Sequence, residues 1–318
     1  MPTHPPASLP SAPPFIGRTA EGRALLLSVR AARSVALVAP PGYGKSALLR
    51  ELAPALEQVT VRLEVPRLAP FGQFLTDLHD VMHAARIHPP GVPVTGDLTT
   101  DRATWKKVYP GGNDPRARSL TEALRLYVGR GMQPPAVVVD DAGGVTPGMV
   151  PLLVALAAHA ALVLAVYPET LRKAGTRRLW HLCDRVDLDA LSPADSRALV
   201  GSLTAAYGVT TPDTQAYGNA VLALSAGVPG ELVRLVRYVP AAEIVRGRGG
   251  TALAQNAAAR EERGVALAPL LLVAGAGFMV TKYIGLARGE MDAYVVGGVG
   301  IAVFMVLGPF LRKWTVTR

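Results

Sequence analysis

Cysteine and charged residues are scarce in this sequence. Cys183 is the single cysteine in 318 residues, so the chain has no internal disulfide, no cysteine cluster for zinc and no mark of an oxidising compartment. Charged residues make up 18% of the chain, against the roughly 25% that is typical of soluble domains. Half of the residues are hydrophobic, and the mean hydropathy is +0.27. This composition excludes wholesale disorder and makes membrane segments the first feature to look for.

The N-terminus lacks the features of a signal peptide. Residues 1–14 read MPTHPPASLPSAPP, in which no basic segment precedes an apolar run. The recurring prolines exclude a helix. We therefore expect a disordered or polyproline-like arm over residues 1–14.

Two long apolar runs lie near the C-terminus. Residues 265–286 have Lys282 as their only charge, and residues 294–311 have none. Each run has about the length that crosses a hydrocarbon core as a helix, roughly 17–25 residues. Only the short segment 287–293 separates them. We therefore predict a transmembrane helical hairpin over residues 265–311, in preference to a pair of buried core helices.

Basic residues flank the outer ends of this hairpin. They are Arg260, Arg263, Arg312, Lys313 and Arg318. Cytoplasmic flanks carry an excess of such residues, so we expect both termini and the globular part in the cytoplasm and the protein in the cell membrane, with two spans. Residues 243–264, with their clustered glycines, would be a linker, and residues 312–318 a basic tail.

A phosphate-binding pattern occurs early in the chain. Residues 34–38 (SVALV) have strand character, and the loop APPGYGKS at 39–46 leads into a helical pattern. Strand, glycine-rich loop and helix in this order are typical of a P-loop. Gly42 and Gly44 let the loop curl so that its N–H groups face phosphate oxygens, and the helix presents its positive end to the same anion. The first position, usually glycine, is Ala39.

The P-loop pattern assigns roles to particular residues. Lys45 would reach the β- and γ-phosphates of ATP, and Ser46 would ligate Mg²⁺. The residues predicted to contact the nucleotide in this segment are Pro41, Gly42, Tyr43, Gly44, Lys45, Ser46 and Ala47. ATP and Mg²⁺ are therefore the expected ligands.

Two aspartates follow a second apolar run. Residues 136–139 (AVVV) are typical of a buried parallel strand, and Asp140 and Asp141 come directly after it. From a strand that neighbours the P-loop strand, Asp140 would hold Mg²⁺ and Asp141 would orient or activate the attacking water. The alternative is a strand that simply ends in an acidic turn.

A further strand pattern covers residues 162–167. In many P-loop proteins a polar residue at the end of this strand senses the γ-phosphate. Tyr167 or Glu169 would stand there, although an interfacial tyrosine is the simpler interpretation. Three arginines further on fit either an arginine finger offered to a neighbouring subunit or, more simply, a basic helix face. They are Arg172, Arg177 and Arg178.

A helical segment follows the last strand pattern. Ser192 caps its first turn, and residues 193–240 have helical character with a break at 227–230. We therefore expect an αβ core over residues 15–190 and a small helical lid over residues 191–242.

Five segments occur in an order that is known from one superfamily. They are FIGRTAE at 15–21, PPGYGKS at 40–46, VVVDD at 137–141, DLDALSPADSRALV at 187–200 and GVPGELVRLV at 227–236. Together they resemble AAA+ and STAND-type NTPases over residues 14–240. Their order and spacing are specific for the superfamily and not for a subfamily. The predicted hairpin lies outside the resemblance.

The resemblance implies a fold and further site residues. The implied fold is a P-loop NTPase of the α/β class, a parallel sheet flanked by helices, with a lid that folds over the nucleotide. The resemblance also implies that Ile16 and Arg18 line the base and ribose end and that Arg234 senses nucleotide from the lid. STAND members often have a small residue at the first P-loop position and a second aspartate after the strand, which fits Ala39 and Asp141.

The leading hypothesis is a membrane-anchored protein that binds ATP with Mg²⁺ and hydrolyses it to drive a conformational or assembly change. One alternative is a nucleotide-dependent signalling or defence switch with little turnover. Another is a membrane-tethered, DNA-associated ATPase. The net charge of +9 suits nucleic acid as well as an anionic membrane, but no dense Lys/Arg block or winged-helix segment favours nucleic acid. The membrane is the expected partner, a homo-oligomer is left open, and the sequence identifies no protein partner.

The segment between the P-loop helix and the two aspartates gives few signals. Its spacing predicts a helix over residues 71–87, and residues 88–101 have loop composition. His79 and His83 lie one turn apart and could bind a metal, but a solvated helix face is the favoured interpretation. Trp105 and its basic neighbours are too few for a nucleic-acid stacking surface.

Overall fold

The computed structural model describes residues 14–245 and Tyr283. Residues 14–245 belong to one structural unit, which contains a parallel sheet, helices on both faces of that sheet and a helical lid. Among the described residues, no helix has both the length and the apolar character needed to span a membrane. Apart from Tyr283, which is helical and exposed, the predicted hairpin at 265–311 lies outside the described residues, as do the tail at 312–318 and most of the linker.

Five parallel strands form the sheet. They are β1 (Ser34–Val38), β2 (Arg62–Arg67), β3 (Ala136–Asp141), β4 (Ala161–Val166) and β5 (Cys183–Asp187). Their order across the sheet is β2-β3-β4-β1-β5. Because β4 separates β1 from β3, the prediction that Asp140 comes from a strand next to the P-loop strand is wrong. The carboxyl ends of all five strands nevertheless share one edge of the sheet, which is where open α/β sheets bind ligands.

Helices cover both faces of the sheet. In chain order they are α1 (Thr19–Arg30), α2 (Lys45–Val59), α3 (Phe71–Ala84), α4 (Leu98–Val108), α5 (Asn113–Gly129), α6 (Val150–Ala157) and α7 (Arg177–Trp180). Successive residues of a strand point to opposite faces. In β4, Leu164 joins the hydrophobic cluster under α3, α5 and α6, whereas Val163 and Ala165 join the cluster under α1 and α2. This burial on both faces explains why the central strands are continuous apolar runs.

Strand β2 is an element that the sequence does not predict. It is the outermost strand of the described sheet and pairs with β3. Leu63 and Val65 are its buried residues, while the others are partly or fully exposed. Proline is tolerated on edge strands, so Pro66 does not end this one. A short, half-polar strand of this kind carries too weak a pattern to be recognised.

The prediction that the histidines of α3 lie on a solvated helix face is wrong. The His79 side chain is only 2% exposed, and its ring stacks on Trp105 of α4 with the ring centroids 4.4 Å apart. Trp105 is fully buried and donates from Nε1 to Ser119 Oγ at 2.9 Å, so it is not available to stack on nucleic acid. Within the part of the chain that the structure describes, no group of three or more acidic, histidine or cysteine side chains is placed to hold a metal ion.

Asp101 ties the loop before α4 to α3. Its buried carboxylate accepts hydrogen bonds from the Thr95 hydroxyl at 2.7 Å, the Thr95 and Gly96 amides, and His83 Nε2 at 2.8 Å. The bond from the Thr95 hydroxyl is the largest cause of a strongly lowered pKa of Asp101. Asp101 therefore has a structural role: it holds the loop before α4 against α3. This loop belongs to the segment 88–101, which has loop composition in the sequence.

Replacing Asp101 with asparagine is expected to lower the melting temperature at neutral pH and to weaken the dependence of stability on acid. The folded chain binds the Asp101 proton less tightly than the unfolded chain does, so this contribution is complete above the ordinary pKa of 3.8 and is lost as the pH falls below it. Thermal unfolding at pH 7 and pH 3 tests this, with Asp77→Asn as the control. Within the part of the chain that the structure describes, the Asp77 side chain accepts only from Gln73, at the surface. An equal loss for Asp101→Asn at both pH values would contradict the prediction.

Four helices after β5 form the lid. They are α8 (Pro193–Ala206), α9 (Thr214–Ser225), α10 (Pro229–Tyr238) and α11 (Ala241–Val245). As the sequence predicts, Ser192 caps α8 by accepting from the Asp195 amide at 3.0 Å. The predicted break at 227–230 separates α9 from α10, with Gly227 at a φ of 75°. Ile244 of α11 is buried, so the helical group continues a few residues into the segment predicted as a linker.

Candidate functional site

The loop between β1 and α2 has the form of an anion-binding turn. Gly42 and Gly44 adopt φ values of 82° and 92°, a left-handed backbone that glycine reaches without strain. Gly44 is the N-cap of α2, and no side chain of the described residues caps that helix. The first-turn N–H groups of α2 therefore remain available for an anion, and the helix dipole favours negative charge at the same place.

Lys45 is the first residue of α2 and lies over this loop. Its ammonium Nζ donates to the Ala39 carbonyl at 2.5 Å and to the Pro40 carbonyl at 3.2 Å. It also lies 4.3 Å from the centroid of the Tyr167 ring, a distance typical of a cation–π contact. Burial lowers the pKa of Lys45, and the charges of Asp140, Glu169 and Asp141 oppose that shift. A phosphate group would offer the ammonium an anionic acceptor in place of neutral carbonyls and the ring.

The two predicted acids lie at the carboxyl end of β3 and differ in their surroundings. Asp140 Oδ1 is buried and has no hydrogen-bond partner among the described residues. A buried, unpartnered carboxylate oxygen is costly unless it meets a donor, a water or a cation. Asp141 is exposed, and its Oδ1 accepts from the Gly143 amide at 2.9 Å. Carboxylate and hydroxyl oxygens are ligands that Mg²⁺ prefers, so Asp140 and Ser46 fit this ion.

A cleft of about 740 Å³ brings these residues together. That volume is within the usual range for small-molecule sites, roughly 300–1,000 Å³. The predicted residues that line it are Ile16, Arg18, Pro41, Gly42, Tyr43, Gly44, Lys45, Ser46, Ala47, Asp140 and Asp141. The structure adds lid residues that the sequence does not predict, namely Leu199, Pro229, Gly230 and Val233. The cleft therefore lies between the edge of the sheet and the lid.

Two arginines implied by the resemblance have different positions. Arg18 lines the cleft, but its guanidinium is held by the protein: Nη1 donates to Glu21 at 3.0 Å, and Nη2 donates to the carbonyls of Tyr43 and Asp189. It therefore fastens the P-loop to the segment that leads into the lid. Arg234 does not line the cleft and pairs with Glu231 at 3.0 Å. A nucleotide-sensing role for Arg234 stays a prediction.

Comparison with known proteins places the fold. No protein-family model matches the sequence, and no curated protein matches it. A Walker-type ATPase of Pyrococcus abyssi has a similar structure, with a TM-score of 0.52 and 12% identity over 92% of this chain and 93% of that chain. A STAND protein with a tetratricopeptide repeat sensor from Pyrococcus horikoshii gives a TM-score of 0.42 and 16% identity over 70% of this chain and 30% of that chain. Cdc6p from Pyrobaculum aerophilum gives 0.46 and 13% over 98% and 89%. The first likeness confirms the predicted α/β fold, a parallel sheet flanked by helices.

Proposed function

We propose that this protein binds ATP with Mg²⁺ in the cleft and hydrolyses it, and that the bound nucleotide sets the position of the lid. The observation that carries the proposal is a convergence at one edge of the sheet. The N-terminus of α2, the Lys45 ammonium and Asp140 all border the same cleft. The buried Oδ1 atom of Asp140 has no hydrogen-bond partner among the described residues. A chain of phosphates with a bound cation would satisfy all three groups.

Hydrolysis would proceed by in-line attack of water on the γ-phosphate, and different residues of the cleft would have different roles in it. The loop amides and Lys45 would hold the β- and γ-phosphates. Mg²⁺, held by Ser46 and Asp140, would neutralise charge on the phosphate oxygens. Asp141 would orient the water through Oδ2, which has no hydrogen-bond partner in the described part of the chain. Among the lining residues, Ile16 provides apolar surface for a base.

Magnesium removal tests this proposal. Full-length protein in detergent is expected to release phosphate from ATP with Mg²⁺ and to fall to background in excess EDTA. A fluorescent ADP analogue provides a second readout, since its binding is also expected to weaken in EDTA. Phosphate release that EDTA leaves unchanged would contradict the assigned roles of Ser46 and Asp140. Absence of both release and nucleotide binding would contradict the proposal as a whole.

One observation favours a switch with little turnover as the second candidate function. Asp141 is a short, exposed side chain, and the Gly143 amide already uses one of its oxygens. Such a carboxylate has less freedom to activate a water than an unengaged one. Tight binding of nucleotide with no phosphate release by the wild-type protein would support the switch over the ATPase.

We further propose that residues 265–311 anchor the protein in the cell membrane, with the nucleotide site in the cytoplasm. The support is their apolar sequence and the basic residues that flank them. Alkaline carbonate extraction of membranes from expressing cells tests the anchor. Release of the full-length chain into the soluble fraction would contradict it.

A further inference from the structure

The lid contacts the loop between β1 and α2 (residues 39–46, hereafter the phosphate loop) through the main chain. The amide N–H of Gly230, in the first turn of α10, donates to the Gly42 carbonyl at 2.8 Å. The next two amides, of Glu231 and Leu232, donate to Val228 within the same turn. The Gly230 amide thus uses its hydrogen bond on the phosphate loop and not on its own helix.

Glycine at position 230 is required by proximity. A Cβ on Gly230 would lie 2.9 Å from Gly42 Cα and 3.0 Å from the Gly42 carbonyl oxygen. Both are backbone atoms, which cannot turn aside as the end of a flexible side chain can. Gly218, in the interior of α9, shows the contrast, since a Cβ there would meet no atom within 4 Å.

A second bond holds the next carbonyl of the loop. Arg18 Nη2 donates to the Tyr43 carbonyl at 3.4 Å and also to the carbonyl of Asp189, in the segment between β5 and the lid. Two consecutive carbonyls of the loop, those of Gly42 and Tyr43, are therefore held from outside. In an anion-binding turn the N–H groups converge on the anion. Each carbonyl shares a rigid peptide plane with the N–H of the next residue. Holding the Gly42 and Tyr43 carbonyls therefore also fixes the directions of the Tyr43 and Gly44 N–H groups.

We infer that Gly230 is a positioning residue for the nucleotide site, and that the lid sets the phosphate loop through the Gly42 carbonyl. This inference rests on the proposed function for its ligand. With the contact made, the cleft still holds about 740 Å³, so the lid braces the loop and does not block it. Displacing the lid removes the brace and weakens phosphate binding. Lid position and nucleotide affinity are in this way coupled, and each reports on the other.

Hydrogen exchange of the nucleotide-free, full-length protein tests the contact. Gly230→Ala is expected to accelerate exchange in peptides that cover residues 39–47 and 228–234, while β3 and β4 stay protected. The matched control is Gly218→Ala, which also adds one methyl group to a lid helix and is expected to exchange like wild type. Exchange in the phosphate loop that is the same in both variants would overturn the inference.

Titration with the fluorescent ADP analogue tests the positioning role. Gly230→Ala is expected to bind about tenfold more weakly than wild type, the order of one lost hydrogen bond, whereas Gly218→Ala binds as wild type does. Affinity of Gly230→Ala equal to that of the control would overturn the role. A wild-type protein that binds no nucleotide would contradict the proposed function, and the exchange result would still decide the contact.

If Gly230→Ala does not unfold cooperatively on heating, the variant is not properly folded and cannot test the inference. A measurement on the wild-type protein then takes its place. Residue-resolved exchange reports the protection of the Gly230 amide itself. As the urea concentration rises, we expect the Gly230 amide and the amides of residues 42–44 to lose their protection against exchange together. Exchange of the Gly230 amide at the rate of a solvent-exposed amide would overturn the inference.

Discussion

Lys45→Ala is expected to abolish measurable ATP hydrolysis and to weaken nucleotide affinity about 10- to 100-fold. The Lys45 ammonium lies over the loop between β1 and α2, where it contacts two neutral carbonyls and an aromatic ring. A hydrogen bond to a charged group contributes roughly 1.5–3 kcal/mol, and each 1.4 kcal/mol is about tenfold in affinity. Turnover should fall further, by about 100- to 1,000-fold, because charge on the transferred phosphoryl group would lose a preorganised donor.

Phosphate release and fluorescent ADP binding by the purified full-length protein measure both effects. Lys107→Ala is the control, since it removes an exposed lysine of α4 outside the cleft. The pH dependence gives an independent check. Burial lowers the pKa of Lys45 from its ordinary 10.5, so wild-type affinity should fall as the pH rises through that lowered pKa, earlier than an exposed lysine would allow. Affinity and turnover that are unchanged in Lys45→Ala would remove the basis of the proposed function.

Asp141→Asn is expected to reduce turnover about 100-fold or more while nucleotide affinity stays near that of wild type. General acid–base assistance by a positioned side chain contributes roughly 10²–10⁴-fold. The amide that replaces the carboxylate keeps its size and can still accept from Gly143, but it cannot take a proton from water. Asp140→Asn should behave differently, because the Asp140 carboxylate, with its buried Oδ1 atom, is assigned to Mg²⁺. The neutral amide lacks the negative charge that attracts the cation, so Mg²⁺-dependent binding should weaken as well.

Steady-state phosphate release with parallel nucleotide titration separates these outcomes. Asp187→Asn is the matched control, since Asp187 also ends a strand of the sheet, pairs with Arg185 at 2.7 Å and lies outside the cleft lining. Wild-type turnover in Asp141→Asn would show that another group orients the water. An Asp141→Asn protein that loses nucleotide affinity as strongly as turnover would place this residue in ligand binding.

The parts of the site that the sequence predicts are those encoded by contiguous residues. Strand β1, the loop and α2 follow one another, so Gly42, Gly44 and Lys45 can be assigned from one stretch of chain. Asp140 is recognised because it ends an apolar run, although the sequence does not reveal that β4 lies between its strand and β1. The resemblance added Ile16 and Arg18, which line the cleft, and Arg234, which does not.

The sequence could not predict the elements whose pattern is weak or whose partners are distant. Strand β2 buries two of its residues at an edge of the sheet. His79 lies on the buried face of α3, four residues after Leu75 and three before Met82. A histidine does not by itself indicate burial, and the Trp105 ring that stacks on His79 comes from another helix. Contacts of this kind depend on packing between segments, and hydrophobic periodicity within one segment carries no information about them.

The sequence by itself determined the P-loop, the acids after β3, the lid break and the apolar runs that predict a membrane hairpin at 265–311. Each is a local pattern whose physics acts within a few residues: continuous apolar strands, left-handed glycine, helix capping and hydropathy. Tertiary structure decided the strand order, the hydrogen bonds by which Arg18 holds the P-loop, and the hydrogen bond from Gly230 to Gly42. Those features require segments that are far apart in the chain to meet, and only the packed sheet and lid bring them within hydrogen-bonding distance.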